Sequence, residues 1–580
     1  METRVEAAIK TAERRARDPE FVQRYLAGAG LDFAPDASHF RPLSHLFPKV
    51  SKVLWWNTSL GGEIYMNGVD DISLDFVHAD FCLAAQHDPV QALSRWLDLL
   101  KPGGHAIVTV PNEHGDATHK WSFSIGGASS ASLPCIDMLE VVKKLGHVAQ
   151  CERLAVIRDD RANEAADESA DESADASAES IIELVLRKRQ VRSMSECVKA
   201  IFTVKSAEAC VAACYTAIET YPYRSDVHLV AVQHLLRWRE LSHMDVVVER
   251  AVETMPHENQ ALLSRAYHQI SVGRLKAGFT QREQIAKRMR WQRRTKAEPP
   301  QDTPAWKGEP LAGKRIVIWS EFGLGDEIFF FRFARILRER AGAASVSVVC
   351  QSPLTKLFEA SGEADAIIDV KDAGSIPPHD FWVYPHAIPA HLPLDLDALP
   401  PSIPYLRAPD VPAPGMEQLD ARAVKVGIVF KGDPTHENDA SRSLPSLSVL
   451  DSLFAIEGAE FYSLQKGAGA DEAADYAERL PNFHDIGAHV TTMEQTASAI
   501  MALDVVVTVD TSVAHVAGAL GTPVWLMLPS YGDWRWHYIR EDSPWYPSMR
   551  LLRTEWGDDW TKVVARIGAW LGEWSEARRR

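Results

Sequence analysis

Apolar and polar positions along the chain fall into four successive patterns. From 73 to 113, SLDFVHADFCLAAQHDPVQALSRWLDLLKPGGHAIVTVPNE passes from an apolar strand through an amphipathic helix to a Pro-Gly-Gly turn and a second strand ending at Pro111, which predicts one βαβ unit. Further on, VAQCERLAVIRD and SIIELVLRKR predict two more strands. Their connection, EAADESADESADASAE at 164–179, is too acidic and too poor in apolar residues to order itself, so an acidic solvated loop is expected over 160–180. A second, helical segment follows over 195–296, in which AIETYP at Ala217 and AVETMP at Ala251 repeat at the 34-residue period of paired-helix repeats. His234 and His268 share that register and are expected to be packing or groove residues. The segment ends in the basic run KRMRWQRRTK (287–296), read as a solvated helix end, and a Pro- and Gly-rich linker over 297–313. The rest alternates strand and helix twice, over 314–412 and 423–577, which predicts two Rossmann-like domains facing a cleft.

Composition narrows the class. A chain of 580 residues with 46% hydrophobic and 24% charged residues can bury several cores and is expected to be globular. A net charge of −17 argues against a nucleic-acid binder. The charged N-terminal stretch METRVEAAIKTAERRARDPE has no apolar core of a secretion signal, and no later window is long and apolar enough to span a membrane, so a cytoplasmic protein is expected. The seven cysteines include no CxxC pair, so neither disulfides nor a metal site is expected, and Cys210 and Cys214 are read as buried thiols on one helix face. The Asp-Leu-Asp run at 395–397 matches a DxD metal-binding triplet, but it sits in a Pro-rich stretch and is read as chance.

The candidate chemistry begins at RIVIWSEFGLGDEIFFFRFA (315–334), a strand, a loop with Gly323 and Gly325, and a helix expected over 327–339. A dinucleotide loop needs a third glycine near 328 and an acid after the next strand, but Ile328 and Gln351-Ser352 stand there. Asp326 is left either to cap the helix or to accept a proton from a substrate hydroxyl. In the second half, LDVVVTVDTSVAHVAGALGTPVWLMLP places Asp510, Thr511, Ser512 and His515 where a strand gives way to a helix. VGIVFKGDPTHENDASRSLP brings Lys431 and Arg442, and FYSLQKG brings Gln465 and Lys466, to the same sheet edge. Cations, hydroxyls and helix N-terminal amides together suit a nucleotide diphosphate. Trp534, Trp536, Trp545 and Tyr546 are candidates either to stack on a sugar or base or to close the cleft wall.

Two resemblances follow from these motifs. Residues 1–190, through DFV, the HDP helix start and LKPGG, resemble the second half of class I S-adenosylmethionine methyltransferases, without a GxGxG loop among Gly28, Gly30, Gly61, Gly62 and Gly68. That resemblance implies a degenerate, structural or partner-binding domain that does not use S-adenosylmethionine; an active methyltransferase is the alternative. Residues 303–575, through GLGD, GDPxHxND with RS, SLQKG, DTSVAHVAGALGTPVW and DWRW with EDSPWYPS, resemble the tetratricopeptide-associated, heptosyltransferase-like glycosyltransferases of GT-B fold related to glycosyltransferase family 9. This resemblance implies metal-independent, inverting transfer from a nucleotide sugar such as an ADP-heptose to a protein or glycan acceptor, with no other cofactor. It implies Asp326 as general base, Lys431, Arg442 and Lys466 on the diphosphate, and Asp510, Thr511, Ser512 and His515 lining the donor pocket. Ser512 stands where the family commonly has glycine, and Lys431 where it has a small or polar residue. A non-catalytic scaffold is the reading from another class.

Overall fold

The computed structural model describes residues 2–34, 46–57, 73–80, 83, 88–111, 138–158, 180–288, 297–394, 396, 399, 403–416, 420–436, 438–555 and 559–579. The acidic loop, most of the basic run, and Asp395 and Asp397 lie outside the described residues. The chain forms an α/β protein of two compact units, Met1–His234 with Glu249–Ala261, and Leu235–Val248 with Leu262–Arg580. No helix among the described residues is long and apolar enough to cross a membrane.

The first unit is built on a six-stranded sheet. Its strands are β1 (Gly28–Ala34), β2 (Val50–Asn57), β3 (Leu74–Asp80), β4 (Leu100–Pro111), β5 (Ala149–Arg158) and β6 (Ser180–Lys188), in the order β2-β1-β3-β4-β6-β5. The first four are parallel, and β6 runs antiparallel to both neighbours. The sequence pattern shows β3 to β6 and misses β1 and β2. Gly28 and Gly30 lie inside β1, where a Cβ on Gly30 would come within 2.1 Å of the Phe76 ring and one on Gly28 within 2.3 Å of the Asp75 carboxylate. These glycines therefore serve close packing on β3 rather than a loop.

Alternation places Leu31, Phe33, Val77 and Ala79 on one sheet face, against the Pro89–Leu99 and Met138–Leu145 helices. The opposite face carries an apolar cluster around Phe76, Ile107 and Val185, and beside it a charged knot. The Glu2–Ala16 helix sends Arg15 into this knot, where Nε donates to Glu183 at 2.9 Å and Nη1 to Asp80 at 3.3 Å. His78 bonds Asp32 at 2.9 Å through Nδ1 and lies 2.6 Å from Arg15 Nη1 through Nε2, while the Thr109 hydroxyl donates to Asp80 at 2.5 Å. Burial opposes a charge on His78, yet Asp80 and Asp32 push it up to about 9; burial also opposes the Asp80 charge, but Arg15 and His78 hold that group well below the carboxylate range.

Helices in this segment start at 34-residue intervals, at Ala207, Leu241 and Leu275 in one series and at Ser225 and Asn259 in the other. His234 donates to the Val230 carbonyl at 3.0 Å and meets Phe202 edge-on. His268 is bonded to Asp245 at 2.8 Å. Cys210 and Cys214 are both fully buried, with their sulfurs 3.9 Å apart.

Two parallel sheets organise the second unit. β7 (Arg315–Ile318), β8 (Ser345–Cys350), β9 (Ala366–Asp369) and β10 (Phe381–Val383) run in the order β10-β7-β8-β9. β11 (Val424–Val429), β12 (Ala459–Ser463), β13 (Phe483–Asp485), β14 (Val505–Val509), β15 (Val524–Leu528) and β16 (Met549–Arg553) run in the order β13-β12-β11-β14-β15-β16. Strands buried on both faces, such as VVVTV and VWLML, account for the unbroken apolar runs. Strand order reverses between β7 and β10 and between β11 and β14, and crevices for ligands open beyond the carboxyl ends at such reversals.

The knot in the first unit yields a pH prediction. A raised His78 contributes stability that is complete below its ordinary 6.5 and is lost as pH rises through about 9. The unfolding free energy of the first unit should therefore fall by on the order of 1–3 kcal/mol as pH rises between those values, read as a lower denaturant midpoint. His78→Gln should abolish the slope, and an equal slope in that variant would count against the assignment.

Candidate active site

The loop leaving β7 is short and tightly held. Ser320 and Glu321 are buried, Phe322 takes a left-handed backbone at φ 64°, and the helix begins at Leu324 rather than 327. It also breaks at Arg332, so the expected 327–339 helix is two pieces, Leu324–Phe331 and Phe333–Glu339. The early start places Asp326 in the first turn, where its Oδ2 accepts the Gly323 N–H at 3.1 Å. The break follows from Arg332, which turns inward to donate to the carbonyls of Phe329 (2.8 Å) and Trp545 (2.7 Å) and to the Tyr405 hydroxyl (3.1 Å). Four rings surround it, Phe329 and Tyr546 with their centroids at 4.5 Å.

Asp326 caps the helix with one oxygen and reaches across the cleft with the other, which takes a hydrogen bond from Arg535. Arg535 is buried, donates to Asp533 at 2.8 Å, and lies over the Trp534 ring at 4.3 Å. Behind Asp326, Glu327 takes hydrogen bonds from Ser320 and from the Gln351 N–H (2.9 Å), and burial pushes its carboxyl up to about 7. Glu321 accepts both the ring Nδ1–H and the backbone N–H of His386, at 3.0 and 3.3 Å.

Across the cleft, β14 ends at Val509 and the Ser512–Leu520 helix begins after two intervening residues. Thr511 stands at its N-cap and makes no side-chain cap bond, so the amides of the first turn face the cleft uncovered by that hydroxyl. Burial and the Asp533 carboxylate push Asp510 up to about 6. His515 is held well below its ordinary value by burial and by Arg535, Arg332 and Arg442, so it is neutral; its Nδ1 pairs with the Tyr546 hydroxyl at 2.9 Å. Gly325 packs on His515, and a Cβ there would lie 3.0 Å from the ring.

The loops after β11 and β12 carry the remaining candidates. Gln465 is buried and clamps both loops, accepting from the Phe430 and Lys431 N–H groups at 3.0 and 3.1 Å and donating to the carbonyls of Lys431, Lys466 and Ala468. Lys431 pairs with Glu472, and Lys466 donates to the Val490 carbonyl. Arg442 lies 3.5 Å from Asp439 and acts electrostatically on Asp510. Gly432 leaves room for that pair, since a Cβ would come within 2.7 Å of Asp439 and 2.8 Å of Arg442. Trp534 and Trp536 are both buried: Trp536 stacks on His515 at 5.3 Å, and Trp534 meets Phe279 and Phe329 edge-on, so protein neighbours occupy these rings.

Gly323, Gly325, Asp326, Asp510, Thr511, Ser512 and His515 thus converge at two facing helix starts, with Arg442 acting on Asp510 and with Gln465, Lys431 and Lys466 on the neighbouring loops. Glu321, His386 and Arg535 are not among the sequence candidates, whereas Tyr546 is one of the four aromatic candidates. Arg535 stood inside the quoted DWRW motif, whereas His386 follows a three-residue strand too short to read.

Two measurements probe this arrangement. Arg535→Met removes the cation between Asp326 and Asp533 and should destabilise the second unit by about 3–5 kcal/mol; an unchanged denaturation midpoint would contradict the pairing. Because the raised Glu327 carboxyl binds a proton in the folded state that the unfolded chain releases, stability should decline as pH rises from the ordinary 4.5 to about 7. Glu327→Gln should flatten that decline, as read by thermal unfolding across the range.

No family model matches the chain. It is 27% identical over 296 residues to Protein FlbA of Caulobacter vibrioides, a match that takes in 47% of this chain and 48% of that protein, so the chain spans about half the length of its curated relative. Similar solved structures include a glycosyltransferase family 9 protein from Veillonella parvula (15% identity, TM-score 0.32, 43% of this chain and 88% of that one) and the E. coli ADP-heptose LPS heptosyltransferase II (13%, 0.34, 44% and 98%). A putative methyltransferase from Bacillus halodurans is similar at 13% identity, with a TM-score of 0.22, over 30% of this chain and 99% of that one. These likenesses are weak, and the fold rests on the strand orders given above.

Proposed function

We propose that the second unit is a metal-independent, inverting glycosyltransferase that moves a sugar from a nucleotide sugar to a protein or glycan acceptor in the cytoplasm. The observation that supports this most is the convergence of Asp326, at the carboxyl end of one parallel sheet, with the Ser512–Leu520 helix start and Arg535 at the carboxyl ends of the other. The donor's diphosphate sits against the helix amides and Arg442, with Lys431 and Lys466 turning to it from Glu472 and the Val490 carbonyl. Asp510, Thr511, Ser512 and neutral His515 line the donor pocket. Asp326 takes the acceptor's hydroxyl proton as that oxygen attacks the anomeric carbon and the diphosphate leaves with the bonding electrons.

The repeated helices present the acceptor. The first unit is a structural or partner-binding remnant of a methyltransferase-like domain that does not use S-adenosylmethionine, its charged knot filling one sheet face.

A thermal-shift panel of ADP-, UDP-, GDP- and CMP-sugars should show stabilisation by one nucleotide class, since a ligand that binds the folded state raises its melting temperature. With that donor, Asp326→Asn should keep the thermal shift and slow nucleoside diphosphate release by about 10²-fold or more. Undiminished release in the variant would remove Asp326 as base, and no shift with any donor would favour a non-catalytic scaffold.

A further inference from the structure

The four-stranded sheet reverses order between β7 and β10, and the loops leaving these strands carry Glu321 and Asp326 on one side and His386 on the other. The His386 side chain is 4% exposed and that of Glu321 is 1% exposed. An ionised carboxylate can only accept, so the 3.0 Å contact from His386 Nδ1 to Glu321 fixes the tautomer with hydrogen on Nδ1 and a lone pair on Nε2. That Nε2 lies 3.8 Å from Asp326 Oδ1, a gap that a shift of about 1 Å closes to hydrogen-bond range. Phe330 and Phe322 box the ring at centroid distances of 4.3 and 5.1 Å, and Phe322 keeps its strained backbone to do so.

Both carboxylate oxygens of Asp326 are already engaged. Arg535 donates to Oδ1 and the Gly323 N–H to Oδ2. Besides Glu321, Asp326 and Glu327 from the β7 loop and the helix it opens, the charged groups around the pair include Arg535 and Asp533 from the segment after β15, and Arg282, which lies 5.7 Å over the Phe322 ring from the Leu275–Arg288 helix.

We propose that His386 is a positioning residue that receives the acceptor's proton from Asp326, in a Glu321–His386–Asp326 relay. The inference rests on the glycosyltransferase reading above. As the acceptor oxygen bonds to the sugar and the diphosphate departs with its electron pair, the hydroxyl proton moves to Asp326. Asp326 then passes it to His386 Nε2, which restores the Asp326–Arg535 ion pair, and the Glu321 carboxylate stabilises the imidazolium until the proton reaches solvent.

Histidine-selective imidazole NMR on the full chain, with the His386 signal assigned by its loss in His386→Gln, tests the relay without any turnover. The expected result is an Nδ1-protonated ring whose titration moves to lower pH in both Glu321→Gln and Asp326→Asn. An Nε2-protonated ring, or a titration that neither variant moves, would overturn it. With the donor class identified, His386→Gln should lower kcat by about 10-fold with KM held and shift the pH profile of diphosphate release, whereas an unshifted profile with equal loss at every pH would mark His386 as merely structural. The NMR coupling without any diphosphate release in the wild-type chain would defeat the glycosyltransferase reading while keeping the coupled pair.

Discussion

One buried guanidinium carries the charge balance of the cleft. Arg535 faces Asp326 from the opposite sheet, Asp533 from its own turn and, through space, Asp510. Remove it and three carboxylates are left in a site from which much of the solvent is excluded, where mutual repulsion is weakly screened. It also helps to keep His515 neutral. A second cation, Arg332, does comparable work by packing: it crosses from the Leu324–Phe331 helix end to the Trp545 carbonyl inside a cage of rings. The two arginines hold the halves of the unit at the spacing on which the candidate chemistry depends.

The first unit solves a similar problem differently. Its sheet reverses order between β1 and β3, where an α/β sheet ordinarily offers a crevice, yet one face beside those strands is filled by Arg15 and a balanced set of acids. Ions buried this deeply contribute little net stability beside an apolar core of the same shape, but they fix which partners meet. The Glu2–Ala16 helix is thereby tied to the sheet by charge as well as by the apolar contacts of Ala12.

Much of this was legible along the chain, for physical reasons that differ by element. β14 and β15 are buried on both faces and read as unbroken apolar runs, and the glycine that ends the Ser512–Leu520 helix, Gly521 at φ 83°, marks its boundary. β1 was missed because GAGLDFA has two glycines, a composition that signals a loop until Phe76 and Asp75 are seen to need the space. The Leu324–Phe331 helix starts earlier than the apolar pattern predicts, because that pattern resumes only after Asp326, whereas an acid in a first turn is a capping position. The partners of Asp326 were out of reach for another reason: His386 and Arg535 lie 60 and 209 positions away, and no local pattern encodes which residues a fold brings together.

The account stands on the second sheet holding a nucleotide diphosphate at the Ser512–Leu520 helix start. Calorimetric titration of the full chain with ADP, UDP, GDP and CDP tests that directly. Saturable binding of one of them is predicted, weakened about 10-fold or more by Arg442→Ala and unaffected by Arg14→Ala, a change at a Glu183 partner in the first unit; no heat with any of the four, or equal affinity in Arg442→Ala, would contradict it.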